Sequence, residues 1–444
     1  MNPGPFDNLP PLTKSDALRI LNTPIKELAL SSDYYKAVFH LAKFQCSESE
    51  EALINLVKSH SKEPEILLAK RKAIEVLGRM KSKKAIPYIG KNLQSDDPYI
   101  VENSALALQE IGCKNIKFQS IIGSLLDNPS HNHRALIQSL AKMGAITELS
   151  KIQKICCQEN VSPGIKGASI AAIKILTGEL HDRHILREYL DLDNQNNRQS
   201  AVQDIIDCNS YELLGDVINT PISPFFRLRA IDLIWPKIES KVLEFSILDA
   251  IDFVLLDDPR KIRLIDKQTS FDDSKTLIDE LFSTDFNQCY LSLVKLINTS
   301  SHHILMSVKD NWDRFKKDYG AVYFLVILFR YLNVPLQNIK KLGMKLVKHC
   351  LDDSWPPYMK FKPQAILLSY KLDLSFFENH IITWLDEELN PNWSCRYAAL
   401  LCLENLIDNN QFALNVEEIL AGKNDSNQFV RLKTTNILSN LIAK

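Results

Sequence analysis

Hydrophobic residues recur along this chain at the three-and-four spacing of helices with one buried face. Between Ile66 and Met80 they fall at Ala69, Ala73, Val76, Leu77 and Met80. Between Tyr99 and Ile111 they fall at Val101, Ala105, Leu108 and Ile111. Both runs predict amphipathic helices. Each is entered through a proline, Pro64 or Pro98, whose missing N–H costs nothing in a first helical turn. Asp97 stands where an N-cap belongs, and Gly112 where a C-cap belongs.

The unit repeats. A polar residue near the start of each second helix appears at Arg71, Glu102, Arg134, Lys166, Arg198 and Arg229, at gaps of 31, 32, 32, 32 and 31. Small residues follow at Ala73, Ala105, Ala168, Ala201 and Ala230. One helix pair cannot bury its apolar face alone, so neighbours stack and share a core. The pattern predicts an all-α fold, a HEAT-like α-solenoid of stacked helix pairs with an irregular central section. Residues 1–32 read as a lead-in with a short helix near Ser15–Leu21, and 33–240 as the N-terminal repeats. Residues 241–385 read as an irregular helical centre holding the active-site helices, and 386–444 as C-terminal repeats. The centre carries helices at Lys275–Phe282, Gln288–Asn298, His302–Lys316, Tyr319–Leu332 and Leu336–Leu351. A polar loop covers Leu264–Asp273, and a break falls at Ser354–Pro357. The signature returns at Arg396, with Ala398 and Ala399, and at Arg431.

Composition removes several function classes. Only 13 of 444 residues are Gly, and no GxGxxG, P-loop or GxSxG pattern occurs. The formal charge is -1, from 53 basic and 54 acidic residues, so the electrostatic footprint of a nucleic-acid binder is missing. The start lacks the basic and apolar regions of a secretory signal, and no apolar run reaches membrane-span length, so neither export nor a membrane is expected. Nine scattered cysteines with no CxxC pair point to buried free thiols in a reducing, cytoplasmic setting. His131 with His133, and His302 with His303, lack the i, i+4 spacing of metal ligands, so no metal site is expected.

A solenoid supplies a groove, and function must rest on particular residues. The arginine series has two readings. Arg134, Arg198 and Arg431 suit a ladder in which each cation pairs with a carboxylate of the adjacent repeat. Arg227 and Arg229, beside Phe225 and Phe226, and Arg71 within Lys70-Arg71-Lys72 suit capture of an anionic ligand. The most unusual stretch is Trp312 to Ala321. Asp318 stands before an apolar helix, which suits an N-cap. It also suits a carboxyl held against an aromatic wall and readied for proton donation, with the Tyr319 phenol beside it.

Several strings resemble the E/F-type phycobilin lyases, HEAT-like cyanobacterial proteins that attach open-chain tetrapyrroles to phycobiliproteins. They are Ala69–Arg79, Ala85–Pro87, Ser95–Ala105, Phe226–Arg229, Thr284–Tyr290, Asp318–Ala321 and Arg396–Leu400, in order along the chain. The branch most similar is that of the long lyases for the phycoerythrin α subunit. The resemblance implies phycoerythrobilin as substrate, with no separate cofactor, and the phycoerythrin α subunit as partner, with a second E/F-type protein as helper. It implies addition of an acceptor cysteine thiol to the ring A ethylidene group, giving a thioether, in photosynthetic antenna assembly. A lyase-isomerase yielding phycourobilin and a non-catalytic bilin chaperone or scaffold are the alternatives. On this reading Asp318 and Tyr319 are catalytic. Arg227, Arg229, Arg71 and Arg396 meet propionates, and Trp312, Tyr323 and Trp393 wall the groove.

Overall fold

In a computed structural model, the described residues are 11–30, 32–235, 245–265, 273–299, 301–352, 354–409 and 424–443. Their regular elements are all helices, with no strand among them. The chain divides into two compact units, 3–186 and 187–444.

The first unit holds α1 (Lys14–Asn22), α2 (Asp33–Leu41), α3 (Ser47–Lys58), α4 (Pro64–Arg79), α5 (Ile86–Lys91), α6 (Pro98–Ile111), α7 (Ile116–Leu125), α8 (His133–Met143), α9 (Leu149–Cys156) and α10 (Pro163–Thr177). The division falls within α11 (Arg183–Tyr189). Every second helix packs on the next of its kind: α4 on α6, α6 on α8, α8 on α10. That is the stacking of an α-solenoid. Small residues permit the close approach. Ala73, Ala105 and Ala168 are all buried, and a Cβ added at Gly78 would sit 2.9 Å from the Ala107 Cα.

The predicted termini are present. Pro64 and Pro98 open α4 and α6, and Asp97 Oδ1 accepts from the Tyr99 and Ile100 amides at 2.9 and 3.2 Å. Gly112 closes α6 at φ 77°, a left-handed conformation that a side chain would strain.

The second unit holds α12 (Gln195–Asp207), α13 (Leu214–Asn219), α14 (Pro224–Ile234), α15 (Ile247–Leu256), α16 (Ser274–Glu280), α17 (Phe286–Ile297), α18 (Ser301–Asp310), α19 (Trp312–Phe315), α20 (Tyr319–Tyr331), α21 (Leu336–Leu351), α22 (Phe361–Leu372), α23 (Leu374–Leu385), α24 (Trp393–Asp408) and α25 (Gln428–Ala443). The run predicted at His302–Lys316 is two helices, broken at Asn311. The loop expected at Leu264–Asp273 lies mostly outside the described residues. At the middle of this unit, α20 is buried on every side from Ala321 to Phe329. It packs on α17, α21 and α22, and α22 packs on α24. A helix apolar all round belongs in a core.

The expected arginine ladder is present in part: Arg198 meets a carboxylate, whereas Arg134 and Arg431 donate to backbone carbonyls, and Arg71 and Arg396, expected at the ligand, pair with carboxylates instead. Arg71 pairs with Asp97, Nη2 to Oδ2 at 2.6 Å. Fully buried Arg198 reaches Asp285, the N-cap of α17, at 2.5 Å. Arg396 takes Asp425 with its Nε and Nη2, the latter at 2.7 Å. Arg134 donates to the Gly164 carbonyl, and Arg431 to the Asp425 and Ser426 carbonyls.

Candidate functional site

The second unit encloses a polar knot. Asp257 follows α15 in the left-handed region, φ 45°, and has no exposed surface. A carboxylate so placed needs a counter-charge and donors. Arg227, from the first turns of α14, supplies the charge with Nη2 2.5 Å from Oδ1. Tyr290 on α17 donates to Oδ2 at 2.7 Å, and Tyr323 on α20 donates to the same oxygen. Arg227 Nη2 also donates to the Tyr290 hydroxyl at 3.0 Å. Burial first, and Asp257 second, hold both phenols well above the ordinary tyrosine range. Burial works against the Arg227 charge, but Asp257 and the two phenols outweigh it and leave its pKa raised. Near neutral pH the guanidinium and both phenols therefore keep their protons. Left-handed non-glycine backbone of this kind is costly and persists where surroundings hold it.

This corrects the sequence reading of Arg227. The side chain is wholly enclosed, with Nη1 on the Ile218 carbonyl and Nη2 on Asp257 and Tyr290, so it has no exposed face to offer a propionate. Arg396 is likewise buried in the ladder, and Arg71 is half-buried against Asp97 with its guanidinium 4.7 Å from the Tyr99 ring. Arg229 donates to Gln203 Oε1 at 2.5 Å. Tyr323 lies inside the knot and not on a wall. Trp393 packs against Tyr397 and Phe429, with centroids at 6.3 and 5.4 Å.

Beside the knot lies Lys360, just before α22. Its Nζ stands 4.5 Å from the Phe286 ring and 5.1 Å from the Tyr323 ring. Among the described residues it makes no hydrogen bond and no ion pair. Burial brings its pKa down to about 8, with Cys289, Asp257 and Asp318 opposing. A cation on aromatic faces keeps part of its charge stabilisation without a carboxylate. A group with this pKa can give or take a proton near neutrality.

Asp318 caps α20. Its Oδ1 accepts from the Gly320 and Ala321 amides at 2.9 and 3.0 Å. Among the described residues its second oxygen takes no hydrogen bond. It lines an open depression of about 700 Å³ with Phe282, Asp313, Arg314 and Lys317. The Arg314 guanidinium lies 3.7 Å over the Phe282 ring. Tyr319 is 59% exposed. The setting is thus an open, charged mouth, not the aromatic enclosure expected for Asp318. Trp312 packs edge-on to His349 at 5.9 Å, under the Lys345 ammonium at 4.3 Å.

Sequence reasoning missed Asp257, Tyr290 and Lys360. Asp257 did carry a signal: Asp257-Asp258-Pro259 repeats the Asp96-Asp97-Pro98 triplet, and an arginine precedes each. Lys360 carried none. Among the described residues no three His, Cys, Asp or Glu side chains come together as a metal site. No helix among them is long and apolar enough to cross a membrane. All nine cysteines are free; Cys157 is exposed, Cys46 half-buried and the others buried. Burial pushes the Cys208 thiol up to about 11 and the Cys395 thiol to about 12, so these are inert packing groups.

Known proteins similar to the chain were found by sequence and by structure. Bilin biosynthesis protein CpeY of Synechococcus sp. (strain WH8020) is 30% identical over 410 residues, 92% of this chain and 97% of that protein. Uncharacterized phycocyanin operon protein Y of Pseudanabaena tenuis (strain PCC 7409) is 28% identical over 95% of this chain and 97% of its own length. A chain in the solved complex of CpcE and CpcF of phycocyanin lyase from Nostoc sp. PCC7120 overlays with a TM-score of 0.48 at 22% identity, covering 57% of this chain and 98% of that one. No family model matches.

Proposed function

The chain belongs to the E/F-type phycobilin lyase family, and on that premise we propose that it attaches phycoerythrobilin, through a thioether, to a cysteine of the phycoerythrin α subunit. The observation that carries this reading is the 30% identity to CpeY, a protein named for bilin biosynthesis, over nearly the full length of both chains. Chromophore attachment to a phycobiliprotein is the family's reaction; the particular bilin and acceptor are the proposed part.

The reaction adds an acceptor thiol across the ring A ethylidene double bond. A carbon–sulfur bond forms, the thiol proton ends on the tetrapyrrole, and nothing is oxidised. The thiol comes from the acceptor, so this chain has to hold the bilin, present one face and manage a proton. Positioning supplies most of the benefit in such an addition. Asp318 is the proposed group that relays the thiol proton, because it lines an open depression and its second oxygen takes no hydrogen bond among the described residues, with Tyr319 exposed beside it. Lys360, with a pKa of about 8, is a further group able to exchange a proton at neutral pH.

Co-expression with phycoerythrobilin synthesis and a phycoerythrin α subunit tests the function. A covalent phycoerythrobilin band on the purified acceptor is the expected result. A blue-shifted phycourobilin band would assign a lyase-isomerase instead, and an acceptor without chromophore would overturn attachment. Asp318→Asn tests the residue, since Asn caps a helix about as well as Asp. The variant should melt within a few degrees of the parent and transfer bilin at least about tenfold more slowly. Unchanged transfer assigns Asp318 to capping alone.

A further inference from the structure

We propose that the outer layer of the first unit, along α5, α7 and α9, is a docking surface for an acidic face of the acceptor protein. The proposal rests on the attachment reading above and adds where on this chain the acceptor is held; the proton chemistry stays with Asp318.

The three helices form one layer. Gly90 of α5 leaves room for the Phe118 ring of α7, and Gly123 of α7 leaves room for the Glu148 carboxyl just before α9. The segments that build the layer are 80–95, 112–126 and 144–158. Together they carry eight lysines and one acidic residue, Glu148. Glu148 is buried, and Lys151 meets it at 3.7 Å and Asp127 at 3.8 Å. Lys84 is paired with Glu50 at 3.4 Å. Lys81, Lys83, Lys91, Lys114, Lys117 and Lys154 are exposed, and among the described residues their ammonium groups make no ion pair and no hydrogen bond.

This excess is local. The neighbouring outer segments, 42–58 and 178–191, each hold more acidic than basic residues. The first unit has 24 basic and 19 acidic residues, against 29 and 35 in the second. Nor do the helices need these cations. Lys83 and Lys84 stand just before α5, and Lys117 in the first turn of α7, where a cation opposes the helix macrodipole. Neighbouring helices lie about 10 Å apart, near the ~8 Å screening length of physiological salt, so the lysine fields overlap. Such a surface is complementary to one rich in carboxylates, and it speeds encounter more than it deepens affinity.

Two exposed isoleucines mark the partner as a protein. Ile116, opening α7, is 65% exposed, and Ile146, in the turn that leads into α9, is 55% exposed. Apolar side chains set among unpaired cations match a protein interface, with an apolar centre and a charged rim. The cations are all lysines, without the arginines that read nucleic-acid bases. No exposed aromatic in these segments supplies a membrane anchor.

The test is phycoerythrobilin transfer by the full chain, at saturating bilin and varied phycoerythrin α subunit, in about 50 and about 300 mM salt. The parent's KM for the acceptor should rise at least about fivefold with salt while kcat holds. Lys83→Glu, Lys114→Glu and Lys117→Glu together should raise the low-salt KM about tenfold and leave kcat unchanged. Lys83→Gln, Lys114→Gln and Lys117→Gln together should raise it by less, and they keep the test decisive if the glutamate variant does not fold. Lys26→Glu, Lys62→Glu and Lys309→Glu, an equal change of charge outside the layer, should leave KM unchanged. A KM indifferent to salt, layer variants that match the parent, or a control that matches the layer variant overturns the surface, while the lyase function stands on transfer. So does a layer variant that keeps its KM and loses binding to phosphatidylserine vesicles, which assigns the surface to a membrane. If the parent transfers no bilin, the attachment reading falls, and interferometry with the acceptor alone decides the docking. Salt-sensitive binding that the layer variant loses upholds it, and no binding overturns it.

Discussion

Lys360 carries its charge at a cost that pH should reveal. Its pKa is about 8 in the folded chain against an ordinary value of 10.5. Between those values the unfolded chain holds a proton that the folded chain has released, so stability rises with pH across that window. Below pH 8 the full penalty is present; above 10.5 it is gone. Lys360→Met should therefore be more stable than the parent at pH 7, by on the order of 2 kcal/mol. The advantage should shrink from pH 8 to 10.5. Urea unfolding of both proteins at several pH values measures the difference, and a pH-independent difference would refute the account. The sequence could not announce this lysine, because nothing local marks it. Phe286, Tyr323 and Lys360 come from three separate elements, and only packing brings them together.

At the scale of the element, Asp97 does two jobs for α6. One oxygen caps the helix and the other receives Arg71 from α4. Asp97→Ala should cost about 1–2 kcal/mol for the cap, and it strands a half-buried guanidinium as well. Asp97→Asn keeps the cap and loses only the ion pair, so it should cost under about 1 kcal/mol. Circular dichroism during urea unfolding separates them, and equal losses would show that the cap contributes nothing. The cap was legible beforehand, since Asp-Pro before an apolar run reads as one; the ion pair was not, since Arg71 within Lys70-Arg71-Lys72 reads as a ligand-binding residue. The same triplet at Asp257-Asp258-Pro259 shows the limit of such reading. There the aspartate ends a helix instead of starting one, and its partners Tyr290 and Tyr323 lie 33 and 66 residues away.

At the scale of the whole molecule, the two units have largely separate cores. One hydrophobic cluster runs from Ala17 to Ala172 and another from Ile262 to Leu372. All five tryptophans, Trp235, Trp312, Trp355, Trp384 and Trp393, belong to the second unit. Tryptophan fluorescence should then follow that unit alone, while far-ultraviolet circular dichroism follows both. Stacked arrays of this length lose all-or-none behaviour. The two signals should give urea midpoints that do not coincide; superimposable curves would show the units to be one cooperative body.

Local chemistry fixed by sequence determined much here. Apolar spacing, proline entry, glycine exit and the repeated arginine specify helices, their ends and their stacking, because each depends on residues within one or two repeats. The family strings specify the class of reaction. Tertiary structure alone decided which arginines are accessible. Arg227 and Arg330 are chemically alike in the sequence. Arg227 is closed inside with Asp257, whereas Arg330 lines a recess with no carboxylate partner among the described residues. That difference follows from how helices distant in the chain pack around each guanidinium, which no local pattern encodes.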